Sequence, residues 1–127
     1  MAKIIQFTTD LFDISKEDEN PINPIYGQSL LLWLNDKILN SYDFTTPYCE
    51  DWGWYSMINF EGRTYMLGAS CLAENKNKLE WLLQIDNPRS IWEIILGKEK
   101  MTKNDKCFLY FKNIIEIESS FKNIEYE

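Results

Sequence analysis

The spacing of hydrophobic positions changes along this chain, and the changes predict an order of strands and helices. The segment from Lys3 to Thr9 is short and β-branched, which predicts a first strand. Residues 25–41 carry apolar side chains at the spacing of one helix face: Leu30, Leu31, Leu34 and Ile38. Trp33 widens this apolar face. Residues 43–47 are predicted to end the helix.

The middle of the chain predicts strands. Two segments, Trp54–Phe60 and Arg63–Leu72, flank Glu61-Gly62, and a two-residue connection with glycine second predicts a hairpin. A turn at 75–78 leads into a third strand, Leu79–Ile85, whose alternate apolar residues share one side. Three consecutive strands predict a meander.

The C-terminal third predicts helices and one further strand. Ser90 is placed to cap a short helix, Ile91–Leu96, that Gly97 stops. A mixed-charge linker follows. Residues 105–121 then stack Phe108, Phe111 and Ile115 on one side of a longer helix. Residues 123–127 are predicted to form a final short strand.

This order of elements predicts one α+β domain over residues 1–127, an antiparallel β-meander with two main helices packed on one face. Its 127 residues are enough to bury one core, in which we expect Leu34, Trp81, Phe108 and Phe111 to be buried. The other sheet face should be partly exposed to solvent and available for docking of a partner. Its predicted residues are Tyr55, Met57 and Asn59, with some of Thr64, Met66 and Ser70.

Charge is distributed unevenly along the chain. The net charge is −7, and residues 1–62 hold ten acidic against three basic residues, whereas residues 63–127 hold ten of each. Such a field repels nucleic acid and anionic membranes and attracts a basic protein surface. Within the acidic half, residues 11–24 lack apolar periodicity and predict a solvated, mobile loop.

The residues that most catalytic and metal sites require are missing. The chain has no histidine, which removes Ser-His-Asp and Cys-His mechanisms and His-ligated metals. Cys49, Cys71 and Cys107 are far apart and are expected to be reduced and partly buried. No glycine-rich phosphate loop is present, and there are two arginines. We therefore expect no enzyme activity, no metal, no cofactor and no nucleic-acid ligand.

Two further features concern location. No apolar run approaches the roughly 20 residues of a membrane span. The first residues lack the long apolar region of a secretory signal. We expect a cytoplasmic protein that does not enter membranes.

The run Glu50-Asp51-Trp52-Gly53-Trp54-Tyr55 places two carboxylates and three aromatic residues directly before a strand. One interpretation is a strand entry whose tryptophans cap the core. The other is an exposed contact site, because Trp and Tyr dominate binding hot spots. On the second interpretation the partner-binding candidates are Glu50, Asp51, Trp52, Trp54 and Tyr55, together with Asp43.

Two spaced motifs carry a family resemblance: G-x-x-L-x-x-W-L at residues 27–34 and P-x-x-E-D-W-G-W at residues 47–54. The matching residues are Gly27, Leu30, Trp33, Leu34, Pro47, Glu50, Asp51, Trp52, Gly53 and Trp54. With these motifs the chain resembles a family of small, mostly uncharacterised bacterial proteins, which implies no settled activity. In its size and acidity it also resembles the immunity proteins that protect bacteria from toxins.

Two functions follow as hypotheses. The first is an immunity protein or antitoxin that binds and neutralises a bacterial toxin domain, with a nuclease as the expected class, since an acidic protein fits a basic phosphate-binding cleft. Its partner would be a basic protein. The alternative is a small regulatory or ligand-binding module whose pocket is lined by Trp52, Trp54, Tyr65 and Trp81.

Overall fold

The computed structural model describes residues 3–38, 41–75, 78–87 and 102–127, and in them it forms a seven-stranded antiparallel sheet with two α-helices. The fold is α+β, as the hydrophobic pattern predicts. Its elements are β1 (Lys3–Thr8), α1 (Gln28–Ile38), β2 (Asp43–Phe44), β3 (Tyr48–Glu50), β4 (Gly53–Phe60), β5 (Arg63–Asn75), β6 (Lys78–Asp86), α2 (Lys106–Ile117) and β7 (Lys122–Tyr126).

The sheet order is β2-β4-β5-β6-β1-β7, and β3 pairs with β4 on the same edge as β2. The predicted meander is therefore β4-β5-β6, and the predicted hairpin turns at Glu61 and Gly62. Gly62 has φ +81°, a value that glycine adopts without strain. The two ends of the chain meet at β1 and β7, where Ile4 and Glu127 exchange backbone hydrogen bonds of 3.0 and 2.9 Å.

The core lies between the helices and one face of the sheet. The predicted core residues Leu34, Trp81, Phe108 and Phe111 are all buried, with at most 4% of each exposed. Aromatic rings fill much of the space: the ring centroids of Phe7 and Phe121 are 4.3 Å apart. A buried ring removes a large apolar area from water, so these contacts dominate the stability of the domain.

Several predicted boundaries are wrong for identifiable reasons. The first helix begins at Gln28 rather than residue 25, because the residue before Gly27 pairs with Cys71 of β5. The second ends at Ile117, and Phe121 packs against β1 instead. Strands β2 and β3 were not predicted. The predicted short helix Ile91–Leu96, its cap Ser90 and the centre of the turn at 75–78 lie outside the described residues.

The three cysteines are free thiols, as expected. Cys71 and Cys107 are buried and Cys49 is half-buried. Burial raises the pKa of the Cys71 thiol to about 12, so this side chain stays protonated and unreactive near neutral pH. In the described part of the chain, no helix has the length and apolar character needed to cross a membrane.

We predict that Phe111→Ala lowers the free energy of unfolding by about 3 to 5 kcal/mol, because Phe111 is fully buried and its removal leaves a cavity. Leu109 lies on the same helix with 42% of its surface exposed, so Leu109→Ala is the matched control and should cost under about 1 kcal/mol. Urea denaturation of both variants tests this. A loss below about 1 kcal/mol for Phe111→Ala would contradict the described helix face.

Candidate protein-binding face

The sheet face that points away from α1 and α2 is not covered by any described helix, and we call it the open face. The pairing of β4 with β5 places Tyr55, Met57 and Asn59 on it, opposite Gly68, Met66 and Thr64 respectively. β6 and β1 continue the face with Gln84, Leu82, Ile4 and Gln6. The sequence-based prediction of which residues line this face is confirmed by this register.

Trp52 folds back over the open face instead of pointing into solvent. A Cβ placed on Gly68 would lie 2.7 Å from Cη2 and 2.8 Å from Cζ3 of Trp52, so the indole rests directly on the β5 backbone at a position without a side chain. Trp52 keeps 37% of its surface exposed. Gly68 thus provides the space that the indole occupies over the β5 backbone.

The indole of Trp52 forms one wall of a shallow depression of about 410 Å³. The other residues that line the depression are Glu50, Tyr55, Met66 and Gln84. Beside it, the rings of Tyr48 and Tyr55 contact each other with centroids 5.6 Å apart. Tyr48 is half exposed. Aromatic and Met side chains at a surface are typical of protein-binding hot spots.

The turn that carries Trp52 is held by Asn20, a buried residue of the preceding loop. The Asn20 amide Nδ2 donates to the backbone oxygens of Glu50 and Gly53, both at 2.9 Å. Its Oδ1 accepts from the backbone N–H groups of Ile22 and Asn23. One side chain therefore satisfies four backbone groups and fastens the loop to the turn. We call this arrangement the Asn20 clamp.

In the predicted solvated, mobile loop at 11–24, Lys16, Asp18 and Glu19 are exposed as expected, but the Glu17 side chain is bound to the protein. The Glu17 carboxylate accepts hydrogen bonds of 2.9 to 3.1 Å from the backbone N–H groups of Gly27, Gln28 and Ser29, and one of 2.6 Å from the Ser29 hydroxyl. These N–H groups lie at the first turn of α1 and have no partner within the helix. A carboxylate there also complements the helix dipole. Glu17 is thus a cap of α1.

Trp54 does not belong to the contact surface that the sequence predicts. It points to the helix side of the sheet, is 3% exposed, and donates its Nε1–H to the Ile25 oxygen at 3.1 Å. The predicted pocket of Trp52, Trp54, Tyr65 and Trp81 is also wrong. Because strand side chains alternate, Trp54, Tyr65 and Trp81 lie in the core, on the other side of the sheet from Trp52.

The remaining candidates are distributed along one edge of the open face. Glu50 and Tyr55 line the depression with Trp52. Asp51 is exposed at the tip of the turn, where its backbone oxygen accepts from Asn23 Nδ2 at 2.7 Å. Asp43 is exposed opposite Asn59, further along β4. The backbone of Asp51, and not its carboxylate, therefore holds the turn.

The open face is acidic. Its register positions include five carboxylates: Asp43, Glu50, Glu80, Asp86 and Glu125. Among the side chains that the structure describes, Lys122 is the basic residue at such a position. Within the same described residues, none of the five carboxylates forms an ion pair. Among the described residues, the face therefore carries more negative than positive charge around an aromatic and Met centre.

A second depression, of about 580 Å³, lies at the start of α2. The Tyr65 hydroxyl donates there to Asp105 Oδ2 at 2.9 Å, while Asp105 Oδ1 accepts from the Phe108 N–H and caps the helix. Arg63 Nε donates to the Asn87 side chain. These polar groups bind one another and stabilise the fold. The described residues also bring no group of three or more potential metal ligands together.

Sequence reasoning missed the residues that shape the depression from β5 and β6. Gly68 and Gln84 carry no chemical signal of their own, and their place beside Trp52 depends on the pairing of β5 with β6. Alternation does place both on the face opposite Leu67 and Leu83, which is the signal that could have found them.

We predict that Asn20→Ala lowers the free energy of unfolding by about 2 to 4 kcal/mol, because it leaves four backbone groups of the clamp without their partner. Asn23→Ala is the matched control. It removes one hydrogen bond at an exposed position and should cost under about 1 kcal/mol. Urea denaturation compares the two, and equal losses would show that the clamp does not hold the turn.

We also predict that Gly68→Ala displaces the Trp52 indole, since the new methyl group occupies the space under the ring. Acrylamide quenching of tryptophan fluorescence should rise, and the increase should vanish when Trp52→Phe is added. Ser70→Ala, on the same strand and face, is the control and should leave quenching unchanged. Unchanged quenching in Gly68→Ala would mean that the indole does not rest on Gly68 in solution.

A scan against protein-family models finds no matching family, and searches of curated proteins and of solved structures find no significant match. The motif and immunity-protein resemblances therefore stay predictions. The function has to be argued from the open face itself.

Proposed function

We propose that this chain is an immunity protein that neutralises a bacterial toxin domain, of the nuclease class, by binding it with the open face. The observation that carries the proposal is the acidic rim without described ion-pair partners around Trp52, Tyr55 and Met66. A cytoplasmic location is part of the same proposal, because a nuclease toxin acts on nucleic acid inside the cell.

Charge and aromatic contacts have different roles in this mechanism. Negative charge on the open face steers a basic surface toward it and raises the association rate. Once the complex forms, water leaves the space around Trp52 and Tyr55, and these rings set its lifetime. Nuclease clefts hold phosphates with basic residues, so an acidic protein fits them by the same electrostatics. Binding of this kind blocks the substrate without any chemistry.

The experiment uses the product of the gene next to that of this chain, which the proposal expects to be a toxin domain. Co-expression should restore the growth of cells that produce the domain, and purified proteins should form a stoichiometric complex. Failure of the wild-type chain both to bind that domain and to restore growth would contradict the proposal.

We predict that Asp51→Lys slows association by about three- to tenfold and shortens the lifetime of the complex, because it reverses a charge beside the aromatic centre. Its stability should stay within about 0.5 kcal/mol, since the carboxylate has no described hydrogen bond. Asp36→Lys on the exposed side of α1 makes the same change in net charge and is the control. Surface plasmon resonance at low and high salt measures both rates.

Equal effects of Asp51→Lys and Asp36→Lys would show that net charge, and not the open face, controls association. Unchanged binding by Asp51→Lys at full stability would remove Asp51 from the interface. Glu17→Lys is unsuitable as a loop control, because Glu17 caps α1 and its reversal would destabilise the fold.

A further inference from the structure

The depression beside Trp52 combines features that together select a planar cation. Its lining includes two aromatic side chains, Trp52 and Tyr55, the half-buried carboxylate of Glu50 and the side-chain amide of Gln84. Within the described residues, neither the Glu50 carboxylate nor the Gln84 amide has a hydrogen-bond partner. The site therefore offers unused acceptors next to the partly exposed indole of Trp52 and the ring of Tyr55, which also contacts Tyr48.

Elsewhere on its surface the chain covers aromatic rings with its own lysines. Lys37 Nζ lies 5.2 Å from the ring centroid of Trp33, and Lys112 Nζ lies 5.0 Å from that of Tyr126. A ring face attracts a cation through its quadrupole, so these contacts are favourable. In the described part of the chain, Trp52 and Tyr55 have no such cation. The exposed part of the Trp52 indole is therefore open to a group from outside.

We propose that the depression is a receptacle for one arginine side chain of a protein partner. A guanidinium group is planar, so it stacks on an indole or phenol, and its N–H groups reach a carboxylate and an amide oxygen at the same time. Lysine presents a compact ammonium group that matches this arrangement less well. So far as it names a partner, this inference rests on the proposed function, whose basic toxin domain would supply the arginine.

The position of the receptacle supports this occupant. The Trp52 indole packs on the backbone at Gly68, and the Asn20 clamp fixes the turn that carries it. The aromatic wall is therefore pre-organised. A pre-organised wall loses little conformational freedom when a ligand enters. The acidic residues of the open face also raise the local concentration of cations around the depression.

The test uses small probes and the full chain. N-acetyl-arginine amide is titrated into the protein while NMR follows the indole Nε1–H signal of Trp52. This signal is assigned by its absence from the spectrum of Trp52→Phe. The expected result is a saturable shift with the arginine probe, an affinity about fivefold weaker for the lysine analogue, and no saturable shift with the citrulline analogue. Citrulline has nearly the shape of arginine without its charge. Equal responses to arginine and citrulline would overturn the inference.

Variants assign the response to the depression. Glu50→Gln and Tyr55→Leu should each weaken binding of the arginine probe at least about fivefold, whereas Asp36→Asn, on the exposed side of α1, should leave it unchanged. Thermal melting checks that each variant is folded. The two depression variants replace side chains on different strands, so misfolding of one does not imply misfolding of the other. Full binding by folded Glu50→Gln and Tyr55→Leu would overturn the inference.

Failure here differs from failure of the proposed function. If a toxin domain binds the open face of the wild-type chain but the arginine probe does not shift the Trp52 signal, the arginine receptacle is contradicted and the immunity role is not. Saturable arginine binding in a chain that binds no toxin domain would keep the receptacle and remove that role.

Discussion

The structure depends most directly on one buried amide. Asn20, 5% exposed, connects the acidic loop to the turn at 50–53 through four hydrogen bonds to backbone groups. Without it, the buried Gly53 carbonyl and three partly buried backbone groups would lose their partner, which would destabilise the fold. The same loop caps α1 through Glu17 and accepts the Trp54 Nε1–H through Ile25. Loop, helix and turn are therefore fixed together.

This constraint explains how one short motif serves both sides of the sheet. Gly53, with φ +146°, lies against the Ala69 oxygen, so the backbone passes where no side chain fits. Trp54 then enters the core, while Trp52 lies on the open face over Gly68. The core interpretation of the sequence motif is correct for Trp54, whereas Glu50, Trp52 and Tyr55 line the surface depression, and their role as a contact site stays a prediction.

The sequence predicts more of the fold than of the site, for a physical reason. The regular spacing of apolar residues identifies core positions. The meander, both helices and the burial of Phe111 and Trp81 are therefore predicted correctly. The roles of Asn20 and Glu17 depend on contacts between segments about 10 to 30 residues apart, which no local pattern contains. A charged segment without apolar periodicity predicts a mobile loop, whereas here the side chains of Asn20 and Glu17 form hydrogen bonds with backbone groups.

The central claim is that the open face, presented by the Asn20 clamp, is where a protein partner binds. Two of the four methionines, Met57 and Met66, lie opposite each other on this face, whereas Ile117 is 73% exposed on α2. The most direct measurement is cross-saturation NMR of the chain, with labelled Met and Ile methyl groups, in complex with the proposed toxin partner. The account predicts that the methyl groups of Met57 and Met66 are saturated and that of Ile117 is not. Saturation at Ile117 with none at Met57 and Met66 would contradict it.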